Sequence, residues 1–428
     1  MLDLLIRGAS LNGREGQWDI ACANGKILEV ARRVDGSAVR EIQAQGHLVS
    51  TPFVDSHFHM DATLTYGRPR VNQSGTLLEG IALWSELKPH LTFDDIKDRA
   101  RTLCRWSIAK GNLAIRTHVD ICDPTLLAVR ALIEVREEMR PYLDIQLVAF
   151  PQDGYFRYPD SEKLLSQALD LGVDVVGGIP HFERTMSEGA RSVTALCQLA
   201  ADRGLLVDMH CDETDDPMSR HVETLAFETQ RLGMQGRVSG SHLTSMHSMD
   251  NYYASKLLAL IQEADLTAIA NPLINITIQG RMETYPKRRG MTRVKEMLER
   301  GINVAFGHDC VMDPWYSFGS HDMLEVAQMG LHVGQMTGVE QTLSVFDAVT
   351  TNAARALHLE GYGLEPGCHA DMVILQASDA IEAIRLRANR LFVIRRGQVL
   401  ASAPELLTEV TLGDEVNSVG FRATELPT

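Results

Sequence analysis

The sequence predicts an α/β protein: a (β/α)8 TIM barrel over residues 51–364, with a small β-sandwich-like domain assembled from residues 1–50 and 365–428. Three observations predict it. Short apolar runs alternate eight times with stretches of helical periodicity. Both ends of the chain are rich instead in short strands and tight turns. Histidines and acids collect at the carboxyl ends of the apolar runs, where a parallel barrel gathers its reactive groups.

The first fifty residues read as the strands LLIRGASL, WDIACANGKILEVA and HLVS, with Asn24-Gly25 a strong two-residue hairpin signal. The pattern returns in DMVILQ (371–376) and RLFVIRRGQVLA (390–401), punctuated by Pro366-Gly367 and Arg396-Gly397, so the two ends are expected to pair. Barrel strands fall at 51–57, 113–118, 144–150, 173–180, 205–210, 237–242, 266–271 and 303–309. Helical stretches lie between them. DPTLLAVRALIEVREEM (123–139) has apolar residues at three- and four-residue steps. SEKLLSQALDLG (161–172) has Ser161 as an expected N-cap and Gly172 as a stop. A doubly wound open sheet is the alternative; the count of eight and the placement of the polar residues favour the barrel.

Composition narrows the function. Of 428 residues, 45% are hydrophobic and 23% charged, which excludes a disordered or collagen-like chain. Lys+Arg number 41 and Asp+Glu 56, a net charge of −15 that opposes general binding to nucleic acid or anionic membranes. The N-terminal MLDLLIRGASLNG lacks the pattern of a secretory signal, and no uncharged apolar run reaches the ~18 residues of a membrane span. The seven cysteines are scattered and never form CxxC. That argues against a disulfide framework or thiolate zinc site and favours a reducing cytoplasm. Asn72-Gln73-Ser74 and Asn275-Ile276-Thr277 match a glycosylation pattern that carries little weight without export.

The reactive ends hold the chemistry. His57 and His59 sit two apart on the first strand, so both imidazoles point to one side. His210 ends the fifth strand and Asp309 the eighth; a closed ring brings them to the same mouth. Three His and one Asp suit a divalent Zn, Fe(II) or Mn(II) rather than calcium. Glu213 follows His210 by three residues, and His242 ends the sixth strand. A lone histidine is most often a surface or core residue. His118, His181, His247, His308 and His369 are read that way, although His118 and His181 lie at strand ends and could stand behind the ligands.

Several segments resemble the amidohydrolase superfamily: PFVDSHFHMD on the first strand, Asp309 on the eighth, the paired β-rich termini, and GLEPGCHADMVIL (363–375). Within it the chain is similar to bacterial cytosine deaminases. The matching segments are NQSGTLLEGI (72–81), RTHVD (116–120), VAFPQDG (148–154), DVVGGIPHFE (174–183), VDMHCDE (207–213), ANPLIN (270–275), YPKRRGMTRVKEMLE (285–299) and FGHDCVMDPWY (306–316). The carboxylated lysine of hydantoinase-like members is missing, its place taken by Gly177-Gly178-Ile179-Pro180, which favours one metal over a bridged pair. The other class of base deaminase pairs H-x-E with P-C-x-x-C. His181-Phe182-Glu183 matches its first half and nothing matches the second.

The resemblance implies hydrolytic release of ammonia from C4 of a free pyrimidine base by a homo-oligomeric enzyme. The cation supplies an acidified water, its pKa lowered from about 15.7 to about 7. Asp309 accepts the water proton, Glu213 protonates ring nitrogen N3, and His242 hydrogen-bonds the attacking oxygen. Gln152 has the donor and acceptor to pair with the O2 and N1–H edge. Backbone groups near Leu77 share that edge, and Trp315 offers a flat surface for the ring.

One position departs from the pattern. Cytosine deaminases of this type carry a second Asp after the metal-binding one; here it is Cys310. A small neutral side chain facing C5 leaves room for a methyl group. Overpacking costs roughly 1–3 kcal/mol, and a buried methyl-sized group gains about 0.8 kcal/mol. The expectation is therefore deamination of 5-methylcytosine to thymine, with cytosine retained as a substrate. The alternatives are an ordinary cytosine deaminase in which Cys310 is neutral variation or an extra ligand, hydrolysis of a cyclic amide, amidine or aminotriazine, or a non-catalytic scaffold. Lys287-Arg288-Arg289 reads as an interface or a solvated turn.

Overall fold

The structure is a computed structural model and describes residues 2–422; Met1 and 423–428 of the expected terminal segments lie outside the described residues. Five strands open the chain: β1 (Leu2–Leu11), β2 (Arg14–Ala23), β3 (Lys26–Ala31), β4 (Ala38–Gln43) and β5 (Leu48–Ser50). Asn24 and Gly25 both take positive φ (52° and 73°) and close the β2–β3 hairpin, as the primed turn requires.

Eight strands then form the barrel: β6 (Phe53–Phe58), β7 (Asn112–Asp120), β8 (Asp144–Phe150), β9 (Val175–Gly178), β10 (Leu206–Cys211), β11 (Val238–His242), β12 (Thr267–Ala270) and β13 (Val304–Phe306). They pair in chain order and in parallel. Helices separate them, as the periodicity predicts. The ring closes between its first and last strands: the Asp309 N–H donates to the His57 carbonyl (2.8 Å), and the His59 N–H to the Asp309 carbonyl (3.0 Å). Three of the four expected ligands thus lie along one seam.

After the barrel come β14 (Met372–Leu375), β15 (Arg390–Arg395), β16 (Gln398–Ser402), and a two-stranded sheet of β17 (Thr408–Leu412) and β18 (Glu415–Val419). β14 pairs antiparallel with β5, so strands from both chain ends share one sheet, ordered β16-β15-β14-β5-β1-β2-β3 with β4 against β1. Leu4, Ile6, Ile20, Val49, Met372 and Ile394 share its core.

Several boundaries differ from expectation. The eighth strand's pairing with β12 stops at Phe306, and beyond it the chain keeps an isolated parallel bridge of Asp309, at φ 69°, with Phe58. The fourth stops at Gly178, since Pro180 lacks an N–H and opens a short 3₁₀ turn, Pro180–Phe182. Ser161 is the first helical residue rather than the N-cap: Asp160, at φ 61°, precedes the helix Ser161–Asp170, and the Ser161 hydroxyl has no partner. Gly172, at φ 99°, ends that helix region as expected. The 123–139 stretch is helical only from Leu127, because the Asp123 carboxylate first accepts the N–H groups of Thr125 and Leu127. No helix among the described residues is long and apolar enough to cross a membrane.

Arg390 couples the terminal sheet to the barrel. Its guanidinium donates to the Asp322 carboxylate (3.2 Å) and the Lys110 carbonyl (2.9 Å) and lies over the Phe53 ring. Burial alone would raise the Asp322 carboxyl, but Arg390 and Lys110 hold it below its ordinary range. Arg390→Ala leaves that buried carboxylate with the Lys110 ammonium (3.2 Å) as its remaining charged partner, and urea denaturation should show a loss of about 1.5–3 kcal/mol. A depressed carboxyl contributes fully above the unfolded value of about 3.9 and less as pH falls through the folded one. The gap between wild type and variant should therefore narrow in acid.

Candidate active site

The imidazoles of His57, His59 and His210 converge. The His210 Nε2 lies 3.2 Å from the His57 Nε2 and 3.0 Å from the His59 Nε2. The Asp309 Oδ1 lies 3.4 Å from the His59 Nε2 and 3.7 Å from the His57 Nε2. All four residues are buried. Burial, reinforced by neighbouring histidines, holds the three imidazoles well below their ordinary pKa, so they are neutral and their nitrogen lone pairs are free to ligate. Burial, and then the charges of Glu213 and Asp313, push the Asp309 carboxyl upward, a preference that a divalent charge reverses. Mutually facing lone pairs and a desolvated carboxylate are costly alone and are satisfied together by a divalent cation. The donor set fits one.

The surroundings favour a single ion. A Cβ at Gly177 would come within 2.6 Å of the Ala149 carbonyl oxygen, so that position of β9 cannot carry a bridging lysine. His118 packs 4.2 Å from the His57 ring, and its Nε2 lies 3.6 Å from Asp208. Asp208 also receives the Arg116 guanidinium (3.2 Å) and the Ser241 hydroxyl (2.6 Å). Arg116 and Ser241 thus already occupy both Asp208 oxygens.

Glu213 and His242 face the same space. The Asp212 backbone turns at φ 54°, and its carboxylate accepts from the Ser219 hydroxyl and the His221 and Val222 N–H groups, which anchors the loop bearing Glu213. The Glu213 Oε1 lies 3.3 Å from the His242 Nδ1, and burial pushes the Glu213 carboxyl up to about 8. His242, at φ 71°, has its Nε2 3.8 Å from the Asp309 Oδ2. The Asn275 side-chain amide nitrogen lies 3.0 Å from its Nδ1, and the Asn271 amide nitrogen 3.3 Å from both ring nitrogens.

His59, Leu77, Gln152, His210, Glu213, His242, Asp309, Cys310 and Trp315 line one cavity of about 90 Å³, with His57 directly behind them. Leu77 starts the helix Leu77–Leu87, capped by the Thr76 hydroxyl accepting from the Glu79 N–H. Gly80 on that helix lets Trp315 seat closely: a Cβ there would lie 2.3 Å from the indole Cδ1. The Cys310 Sγ is 3.6 Å from the Asp309 Oδ1. Burial, then the Asp309 and Asp313 carboxylates, push its thiol pKa well up, so it is neutral. Asn271 and Asn275 beside His242, and Ile81, Ile274 and Ile278 of the cavity wall, carry no role predicted from the sequence. ANPLIN was a usable signal for the asparagines; apolar wall residues carry none.

A family model described as the amidohydrolase family matches residues 40–402. The chain belongs to the amidohydrolase family. Over 405 residues it is 30% identical to N-isopropylammelide isopropyl amidohydrolase of Pseudomonas sp. strain ADP, covering 93% of this chain and 97% of that one. It is 27% identical to the pterin deaminase of Rhizobium rhizogenes, over 89% of this chain and 87% of that one. The crystal structure of Klebsiella pneumoniae 5-methylcytosine deaminase with phosphonocytosine superposes with a TM-score of 0.91 at 42% identity, covering 94% of this chain and 98% of that one. This amidohydrolase is a metal-dependent aminohydrolase.

Two outcomes follow for the amidohydrolase. Chelation should abolish ammonia release and lower the melting temperature, and Zn, Fe(II) or Mn(II) should restore both. Gly307→Ala would place a Cβ 2.6 Å from the His57 Cβ and 2.7 Å from its carbonyl oxygen. It should cost about 1–3 kcal/mol of stability and weaken cation retention, measured by chelator competition.

Proposed function

We propose that this enzyme deaminates a free cytosine-type base at C4, converting 5-methylcytosine to thymine and cytosine to uracil with release of ammonia. The observation that carries the reading is the neutral Cys310 thiol, buried in the cavity wall beside Asp309. Cytosine deaminases of this pattern have a carboxylate at that place. A carboxylate against a ring methyl is crowded and poorly solvated; a thiol accepts it. The 42% identity to an enzyme named for 5-methylcytosine supports the same substrate. A cavity of about 90 Å³ is far below the ~300–1,000 Å³ of sites for drug-sized ligands. It therefore favours one pyrimidine ring over a bicyclic pterin or a nucleoside. The net charge of −15 favours a free base over a polymer.

His57, His59, His210 and Asp309 would hold the cation, which supplies an acidified water at neutral pH. The chain's own groups then move the protons. Gln152 and the backbone near Leu77 pair with the O2 and N1–H edge, and Trp315 covers the ring. As water adds to C4, Asp309 takes its proton. Glu213, protonated near neutrality because it is buried, gives its proton to N3. The His242 Nε2–H steadies the attacking oxygen. Glu213 recovers a proton from the C4 hydroxyl while Asp309 gives its own to the amino group. Ammonia leaves, and C4 becomes a carbonyl with both carboxyl groups restored.

Ammonia release measured on cytosine, 5-methylcytosine, 5-fluorocytosine, isoguanine and creatinine tests the assignment. 5-Methylcytosine should turn over with a kcat/KM at least matching that of cytosine. Cys310→Asp should shift the ratio toward cytosine by roughly tens- to hundreds-fold, as the packing energies above require. Glu213→Gln should lower kcat by about 10²–10⁴. A wild-type enzyme inert toward 5-methylcytosine would sink the proposal.

A further inference from the structure

The seam between β6 and β13 holds a buried polar chain that the proposed chemistry does not use. Asp55 lies on β6, two residues before His57, and is fully buried. One carboxylate oxygen, Oδ1, accepts the backbone N–H of His57 (3.1 Å) and that of His308 (3.0 Å). A single atom therefore grips both sides of the seam, one residue being an expected ligand and the other adjoining the ligand Asp309. The second oxygen, Oδ2, meets the His321 Nε2 at 2.7 Å.

His321 is itself held. It is fully buried at φ 58°, and its Nδ1 lies 2.6 Å from the Ser107 Oγ. The Ser107 hydroxyl also has the Leu103 carbonyl within reach (2.8 Å), and a neutral ring that accepts from Ser107 at Nδ1 carries its proton on Nε2, toward Asp55. The helix Phe93–Ala109 thereby anchors the imidazole, and the imidazole anchors the carboxylate. The ring also packs 4.5 Å from the Phe58 ring. Asp322, the next residue, caps the following helix and binds Arg390, which fixes the loop from its other side.

We propose that His321 and Asp55 are positioning residues that set the separation of His57 and Asp309 across the barrel seam, and so the grip of the site on its cation. This rests on the reading of His57 and Asp309 as ligands. To the backbone bonds of the seam, the Asp55 carboxylate adds one acceptor shared by both sides and tethered through His321 to a helix outside the ring. Groups that orient metal ligands in this way typically change cation affinity by 10–100-fold when removed.

Two substitutions separate hydrogen bonding from packing. His321→Phe preserves the flat shape against Phe58 and removes the donor to Asp55. His321→Gln loses the ring but keeps an amide N–H for Asp55. Zinc affinity of the full-length protein, from competition with a chromophoric chelator, is the readout, alongside the melting temperature of the metal-free protein. The expected result is a 10–100-fold loss of zinc affinity in His321→Phe and a loss of a few-fold at most in His321→Gln, whatever the order of their metal-free melting temperatures. If His321→Phe binds zinc as wild type does, or if both variants lose affinity only in step with metal-free stability, the pair is merely structural and the proposal fails. If wild type itself takes up no zinc, iron(II) or manganese(II), the ligand reading fails and the positioning role falls with it.

Discussion

Three uncharged imidazoles and one carboxylate, stripped of water, are held 3.0–3.7 Å apart at the mouth of a parallel barrel. Without a cation such a cluster is a loss: each buried lone pair lacks a donor, and the carboxylate is driven to bind a proton. With one, the same groups gain charge-assisted partners in a low dielectric. The rest of the fold is organised around holding them there. The ring closes at the strand pair that carries three of the four, and Gly307 is needed because His57 passes too close to admit a side chain.

Strain gathers at the same place. Asp212, His242, Leu243 and Asp309 all take positive φ where the chain leaves β10, β11 and β13. Each such residue costs on the order of 1–3 kcal/mol, and the surrounding packing must offset it. The local gain is direction. A chain that turned out through an ordinary loop would swing the Glu213, His242 or Asp309 side chain toward solvent. The left-handed turn aims it into the cavity, and hydrogen bonds from Ser219, His221 and Val222 secure the Asp212 turn. Rigid strands and strained exits thus work together, as preorganised catalysis requires.

Selectivity is a matter of a few ångströms of wall. Trp315 can lie back only because Gly80 has no side chain, and Cys310 offers a neutral surface only because burial and two nearby carboxylates keep its thiol protonated. Neither residue reacts. In the proposed reaction they would decide how much ring, and which substituent, fits beside Glu213 and Asp309. The amidohydrolase scaffold supplies the shared chemistry of water activation, and specificity lies in what surrounds it.

Much of this was legible in the linear chain. Alternating apolar runs revealed the eight barrel strands, because burial on both faces leaves a continuous apolar signature. Asn24-Gly25 announced its hairpin, since few residue pairs tolerate two positive φ values. His57, His59, His210 and Asp309 stood out because metal chemistry needs rare residue types at strand ends. What the sequence left undecided depended on distance through space. The partners of Asp55 and His242 are set by contacts between segments far apart in the chain, such as Asp55 with His321 across 266 positions. Residue identity alone determined which chemistry is available to this protein. Which groups meet was decided only when the ring closed, because a hydrogen bond depends on ångströms and no local pattern encodes them.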